Sequence, residues 1–366
     1  MFSNNRRISL RQLKRMMVME LIGITGLVIP GITVGAAGRD GVVAMAAGLV
    51  FVTLYVLLLC QLGRKIDGEY MQYARKRCGL IGMDIIGAFY LVQLLFSGAF
   101  AARLLGEVVR QVLLPDTSVQ IIMIVLLVLA VYAAAGGMEG RARMTEILYW
   151  MVLGPVIIML LFTAKDLDFD NLAPIFVSTV PKVLAGGYGV LIFFSILGMM
   201  LFIIPFMKRD ARIYRTTMHG AVIVGLFNLV FILLVVSAFG VGGTYAKNWP
   251  IISLMTIVRT PLNVLGRFDT ILIVIWLVSI FTFVNSCIFY SSLVIQQLIG
   301  NEKMHIYLIP FAAVILLLAS WADNYQSIYQ TYMSYMKYIG MPAAIAIPLL
   351  LLFLEWIQGR RKGAKR

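Results

Sequence analysis

The feature that most constrains this chain is a series of about ten apolar runs, separated by short polar segments. A helix needs about 20 apolar residues to cross a bilayer, and these runs have that length. The composition agrees, because 61% of the residues are hydrophobic and only 13% are charged, whereas soluble domains carry about 25% charged residues. The sequence therefore predicts a single all-α integral membrane domain over residues 1–366.

The basic residues predict how these runs are oriented. The predicted spans are 13–37, 41–63, 82–113, 118–137, 143–165, 182–206, 216–242, 267–299, 304–321 and 339–358. With the N-terminus inside, most of the 31 lysines and arginines fall on inner segments, as is usual for cytoplasmic loops. We therefore predict ten spans with both termini in the cytoplasm, divided into helices 1–5 (13–165) and helices 6–10 (182–358).

Several classes of function find no support in the chain. Cys60, Cys78 and Cys287 are an odd number of cysteines and predict no disulfide framework. His219 and His305 stand far apart without acidic neighbours, so neither a metal site nor a cofactor is expected. The chain has no P-loop, HExxH or GxSxG motif, and its basic residues alternate with apolar runs. We therefore expect neither an enzyme nor a nucleic-acid-binding protein.

The first span contains a segment rich in glycine, LIGITGLVIPGITVGAAG at 21–38. Glycine and proline both weaken a helix, and a broken backbone in a bilayer must be satisfied by protein or by a water-filled cavity. One interpretation is an unwound hinge at Gly23, Ile24, Thr25 and Gly26 that binds a small zwitterion. The other, equally weighted, is that small residues let neighbouring helices approach closely.

The sixth span contains a second weak point at Ser195 and Gly198, near the middle of the membrane. Broken first and sixth helices are typical of an inverted five-plus-five repeat. In such transporters the helix ends at the breaks face the substrate and its coupling ion. We therefore predict an inverted repeat with broken helices 1 and 6.

Charged residues inside the spans need a role, because they are costly in a bilayer. Arg103 and Glu107, four residues apart on one helix, are predicted to form a structural ion pair. Arg267 and Asp269 are predicted to fix the outer end of the eighth span in the same way. Glu20 precedes the glycine segment and is a candidate for ion coupling or for an internal cation. Pairing of Glu20 with a basic inner loop is equally open.

Polar residues on the third and eighth spans either join helices or line a pocket beside the hinge. The predicted ligand-binding residues are Gly23, Ile24, Thr25, Gly26, Gln93, Ser97, Ser195, Leu197, Gly198, Trp276, Ser279, Thr282 and Phe283. No arginine or lysine is expected near the hinge, so N–H groups of the broken first helix would meet a ligand carboxylate. The mostly apolar wall favours a small or branched apolar ligand side chain. A stripe of tyrosines at 325–332 is interpreted as an aromatic belt at the membrane surface.

Several motifs, in order along the whole chain, resemble one known family. They are ISLRQL at 8–13, IGITGLVIP at 22–30, GRDGVVAMAAG at 38–48, ARLLGE at 102–107, NLAPI at 171–175 and GRFDTILIVIW at 266–276. The chain resembles the B subunits of endospore germinant receptors, which are similar to amino-acid permeases of the amino-acid–polyamine–organocation superfamily. The resemblance implies the leucine-transporter fold, an amino-acid-like ligand at helices 1 and 6, and partnership with an A subunit and a C lipoprotein in the spore inner membrane.

Two functions remain open at this point, a nutrient sensor without transport and a proton-coupled amino-acid permease. Fold does not separate them, because function depends on the site and its coupling. Met199 and Met200 stand where many relatives carry an aromatic and a polar or acidic residue, so no ligand identity is carried over.

Overall fold

The computed structural model describes residues 7–163, 169–174, 176–207, 212–257, 268–300 and 303–363. Within these ranges the chain is almost entirely helical. Its α-helices are α1 Leu10–Ala37, α2 Gly41–Gly63, α3 Tyr70–Val112, α4 Val119–Ala135, α5 Gly137–Thr163, α6 Val180–Phe193, α7 Met200–Ile203, α8 Arg212–Tyr245, α9 Pro250–Ile257, α10 Phe268–Ile299, α11 Leu308–Trp321, α12 Tyr325–Tyr335 and α13 Met341–Gly363.

Each of the ten predicted spans coincides with one of these helices or, for the sixth, with the pair α6–α7. By length and apolar composition, seven helical stretches of the described part can cross a membrane, or eight when the bent pair is included. One of these stretches, Leu10–Gly63, contains both α1 and α2, and α4 has only 17 residues. The protein is therefore an all-α integral membrane protein, and the number of ten spans stays a prediction.

The helix α1 lies at the centre of the molecule. Every residue from Met16 to Pro30 is buried. Around it pack α6, α8 and α10, while α3 packs along α10 and α2 packs along α6. A helix that is apolar all round and buried on every side is expected to form the core of a bundle.

The predicted break in the sixth span is confirmed. The helix α6 ends at Phe193, and Phe194 has φ −90° and ψ 0°. A 3₁₀ turn follows at Ser195–Met199, and the two halves of the span are bent by 41°. Tighter 3₁₀ bonds, such as Leu197 N–H to the Phe194 carbonyl at 3.0 Å, replace the α-helical ladder here.

The predicted break in the first span is wrong, because α1 is a continuous helix from Leu10 to Ala37. Gly23 and Gly26 serve close packing instead. A Cβ on Gly23 would lie 2.2 Å from Ser279 Oγ, and one on Gly26 would lie 2.5 Å from Trp276 Cζ2. Helix α10 therefore occupies the space that a side chain would need, and an intact helix satisfies its own backbone in lipid.

Candidate functional site

The seam between α1 and α10 is closed by hydrogen bonds to α1 carbonyls. Trp276 donates its indole N–H to the Gly23 carbonyl at 3.1 Å, and Thr282 donates to the Met19 carbonyl at 3.1 Å. The hydroxyl of Ser279 donates within its own helix, to the Trp276 carbonyl. These predicted ligand-binding residues therefore meet one another across the seam.

Two other predicted residues of α1 are also engaged within the bundle. Thr25 donates to the Leu21 carbonyl at 2.8 Å and accepts from the Asn228 side-chain amide at 2.9 Å. Ile24 is a buried core residue, as is Phe283 of α10. The N–H groups of α1 at this level belong to a continuous helix, so the predicted backbone site for a carboxylate is not present in this structure.

A buried ion pair lies one turn before the glycines. Arg141 of α5 places Nη2 3.0 Å from Glu20 Oε1 of α1, and the side chains are 2% and 9% exposed. Ser286 of α10 donates to the same Glu20 oxygen at 2.6 Å, and Arg141 Nε donates to Asn285 Oδ1 at 2.7 Å. Three helices are thus joined through one carboxylate and one guanidinium.

The guanidinium of Arg141 has further aromatic neighbours and one unused donor. Its carbon Cζ lies 4.4 Å from the centre of the Phe289 ring and 5.0 Å from that of Tyr290. Its Nη1 has no hydrogen-bond partner in the described part of the chain. Buried polar groups are normally paired, so this cluster retains capacity to bind another polar group.

The predicted spans place Arg141 on the inner segment between 118–137 and 143–165, and sequence reasoning does not distinguish it from Arg143. Two residues apart on a helix differ by about 200° in direction, so only one of the two can face outward. Arg143 is exposed and pairs with Glu139 of its own helix, whereas Arg141 faces the interior. Pairing of Glu20 with a basic inner segment was one of the interpretations left open, and Arg141 of that segment is the partner.

The break in α6 opens onto this cluster. A cavity of about 10 Å³ lies between the two, which is close to the space that one water molecule needs. Its walls include Glu20, Leu197, Met200 and Tyr290. Of the residues predicted to bind ligand or to couple ions, Leu197 and Glu20 meet here.

The other predicted residues of the break face the opposite side. The carbonyl of Ser195 accepts from the Tyr55 hydroxyl at 3.4 Å. A Cβ on Gly198 would lie 2.9 Å from the same hydroxyl. Ser195 and Gly198 therefore contact α2, whereas Leu197 contacts the cavity beside α1.

Next to the break, aromatic side chains from three helices pack against one another. Tyr332 of α12 stacks on Phe100 of α3 at 4.7 Å between ring centres, and Phe193 lies 5.8 Å from Tyr332. The hydroxyls of Ser97 and Tyr332 are 3.4 Å apart, and Gln93 is buried one turn below. The interpretation of the tyrosines as a membrane-surface belt is wrong for Tyr332, which is 3% exposed and packs inward because Phe100 and Phe193 offer it an aromatic surface.

Of the two ion pairs predicted toward the outer end, the structure shows one, and the other lies outside the described residues. Arg103 and Glu107 approach to 2.9 Å, and Arg103 also donates to the carbonyls of Ala319, Ala322 and Asp323 at the end of α11. Arg267 and the side chain of Asp269 lie outside the described residues. Over the described ranges, no group of three His, Cys, Asp or Glu side chains is arranged to hold a metal ion.

The arrangement of the helices is shared with solved membrane transporters. A Na+-coupled sialic acid symporter matches with a TM-score of 0.65 at 13% identity, over 91% of this chain and 77% of that one. MhsT in complex with L-phenylalanine matches with a TM-score of 0.73 at 11% identity, over 94% and 89%. The protein thus has the leucine-transporter fold.

Sequence comparison then gives the family. A family model described as spore germination protein matches residues 7–328, and the chain belongs to this family. From Bacillus subtilis, spore germination protein YndE is 23% identical over the full length of both chains. Spore germination protein KB is 25% identical over 98% of this chain and 97% of its own. Spore germination protein B2 is 21% identical over 98% of both.

Proposed function

We propose that this protein is the B subunit of a nutrient germinant receptor, which binds a small amino-acid-like ligand within the membrane and signals spore germination. The observation that carries the proposal is the buried Glu20–Arg141 pair beside the α6 break. We further propose that it works with an A-type subunit and a C-type lipoprotein in the spore inner membrane, with both termini in the cytoplasm. Family membership and the basic inner segments support these assignments.

The pair is complementary to a zwitterion. An amino acid that leaves water needs a partner for each of its charges, since an unpaired buried charge costs several kcal/mol. In the present state the two side chains satisfy each other at 3.0 Å. A ligand carboxylate would bind Arg141, which already has a free donor, and the ligand ammonium would bind Glu20 and carbonyls of the α6 break.

The size of the cavity implies a conformational step. A space of about 10 Å³ is too small for any amino acid, so the ligand must separate α6 from α1 as it enters. A break with 3₁₀ bonds is the weakest point of this wall. Ligand binding would therefore change the position of the inner half of α6, which is a suitable signal for a partner subunit.

The test uses a double substitution, Glu20→Leu with Arg141→Met. Replacing both members of a buried ion pair by apolar residues is often neutral for stability, whereas removing one is not. We expect the double variant to assemble with wild-type thermal stability and to lose germination with L-alanine, L-valine and L-leucine. Wild-type spores are expected to respond to at least one of these and to neither propionate nor ethylamine, each of which lacks one charge.

The matched control is Arg103→Met with Glu107→Leu, which removes an equivalent pair away from the cavity. It is expected to leave the choice of ligand unchanged. A Glu20→Leu, Arg141→Met protein that assembles and still responds to the same amino acids would refute the proposed site.

A proton-coupled amino-acid permease is the second candidate. A buried carboxyl group at the centre of the bundle favours it. Radiolabelled alanine, valine and leucine supplied to proteoliposomes separate the two functions. A sensor would bind without net uptake, whereas a permease would accumulate label when a proton gradient is imposed.

A further inference from the structure

A basic pocket lies where α3 begins and α10 ends, and its Gln297 follows Tyr290 of the cavity beside the α6 break by about two turns of α10. Its volume is about 530 Å³, and its walls include Gln72, Arg75, Lys76, Met83, Gln297 and Ile299. In the described part of the chain, no acidic side chain lines it. The pocket is therefore positive on one side and apolar on the other.

The basic side chains of this pocket lack internal partners. Arg75 and Lys76 are exposed, and neither forms an ion pair within the described ranges. Their neighbour Arg77 differs, because it donates to Gln358 at 2.7 Å and lies 3.6 Å from Glu355. Two of three consecutive basic residues are thus available to an external anion.

A buried amide adds a further donor to the same wall. Gln297 is only 7% exposed, and its Oε1 accepts from the Met71 N–H at 3.4 Å. This bond is long, and the Nε2 of the amide makes no hydrogen bond with any described residue. An unused N–H₂ group beside two cations is suited to an anionic oxygen.

The position of the pocket indicates that its ligand is a lipid. Helix α3 bends at Gly79, where φ is 76°. Before the bend the helix carries the charged side chains, and directly after it Leu80 and Ile81 are 54% and 75% exposed. Exposed apolar residues on a membrane helix face acyl chains, so the bilayer surface lies close to the bend. Ile299, 61% exposed, continues the same apolar surface on α10.

We propose that this pocket binds the phosphodiester headgroup of an anionic phospholipid. Arg75, Lys76 and the Gln297 amide would contact the phosphate oxygens, and the acyl chains would lie along Met83 and Ile299. Basic pockets between helices at the cytoplasmic surface are common headgroup sites, because each lysine or arginine there contributes about 1 kcal/mol to attraction of anionic lipid.

The experiment is native mass spectrometry of the full-length protein, titrated with phosphatidylglycerol or phosphatidylcholine. Arg75→Gln with Lys76→Gln is expected to weaken the first phosphatidylglycerol site about thirty-fold, at about 1 kcal/mol per residue and 1.4 kcal/mol per factor of ten. Gln297→Glu keeps the acceptor for Met71 but replaces the donor by a negative charge. It is expected to weaken the same site at least about tenfold.

The control pair is Lys14→Gln with Arg215→Gln, which removes the same charge at the same end of the molecule. It is expected to leave the phosphatidylglycerol site unchanged. If both double variants lose the same phosphatidylglycerol affinity, the lipid is attracted to the basic surface in general, and the proposed site is refuted. Displacement of the lipid by millimolar inorganic phosphate or glycerol phosphate would assign the pocket to a soluble anion and overturn the lipid as occupant, as would equal retention of phosphatidylcholine.

Discussion

The two helices that the sequence predicts to be broken behave differently. Helix α1 contains four glycines and Pro30, yet it stays continuous from Leu10 to Ala37, whereas the sixth span, also with four glycines, ends α6 at Phe193 and resumes as a helix only after a 3₁₀ turn. The difference lies in what faces them. Gly23 and Gly26 of α1 pack against Ser279 and Trp276, while the α6 break faces a cavity that Glu20 lines. In α1, glycines at close helix contacts therefore leave the helix intact. In the sixth span, the helix breaks where it faces a cavity.

The largest expected change in stability comes from removing Glu20, the acidic side chain of α1 that faces the α6 break. Glu20→Ala leaves Arg141 buried without its partner, and we expect a loss of about 3–5 kcal/mol in the free energy of unfolding. Glu107→Ala is the comparison, because Arg103 keeps three carbonyl acceptors and the loss is expected to be smaller. Thermal unfolding of both variants in detergent measures the difference. Equal losses would mean that Glu20 is no more important to the bundle than a peripheral pair.

The next effect tests the packing of α1 itself. Gly23→Ala places a Cβ within 2.9 Å of Ser279 and Ile280 backbone atoms, which cannot move independently, and we expect a loss of about 3 kcal/mol. Gly31→Ala, in the same helix, meets nothing within 4 Å and is expected to be neutral or stabilising by up to about 1 kcal/mol. Thermal stability that is the same for both would indicate that α1 can move away from α10, as a hinge could.

The smallest effect concerns the start of α6. Asp40 is buried between α1 and α2. Its carboxylate accepts hydrogen bonds at 2.5 Å from the N–H groups of Phe176 and Ser178, just before α6 begins. Burial alone would raise the pKa of Asp40, but the N–H groups of Ser178 and Phe176 together lower it below its usual value. A lowered pKa means that Asp40 stabilises the fold above its unfolded pKa of about 3.9, and that this contribution is lost as the pH falls through the folded pKa.

The measurement is thermal stability between about pH 3 and pH 7 for wild type and Asp40→Asn. The wild type is expected to lose more stability on acidification than the variant does, since an asparagine side chain cannot titrate. Parallel curves would show that Asp40 does not hold the start of α6 through its charge.

The sequence predicts the positions of the helices and the α6 break correctly, for reasons that are local. Hydropathy defines where the helices lie, and Ser195 and Gly198 stand in the middle of an apolar run. The state of α1 could not be predicted, because the side chain that fills the space beside Gly26 is Trp276, about 250 residues later. Glycine spacing is the same for a hinge and for a helix contact.

The charged centre of the site was only half predicted. Glu20 stands out in its span, but its partner is one of two arginines, Arg141 and Arg143, that look alike in sequence. The direction of a side chain depends on how α5 is rotated, which the packing of α1 and α10 decides. The inward direction of the Tyr332 side chain could not be predicted for the same reason, since only tertiary contacts show that it faces Phe100.

Amide hydrogen exchange tests the contrast between α1 and α6 most directly. In ligand-free protein we expect peptides covering residues 21–29 to exchange slowly, because their N–H groups belong to a continuous buried helix. Peptides covering residues 194–200 are expected to exchange faster, and to gain protection when the amino acid that triggers a response is added. Fast exchange at 21–29, or protection by ligand confined to that segment, would contradict the account and restore α1 as the hinge.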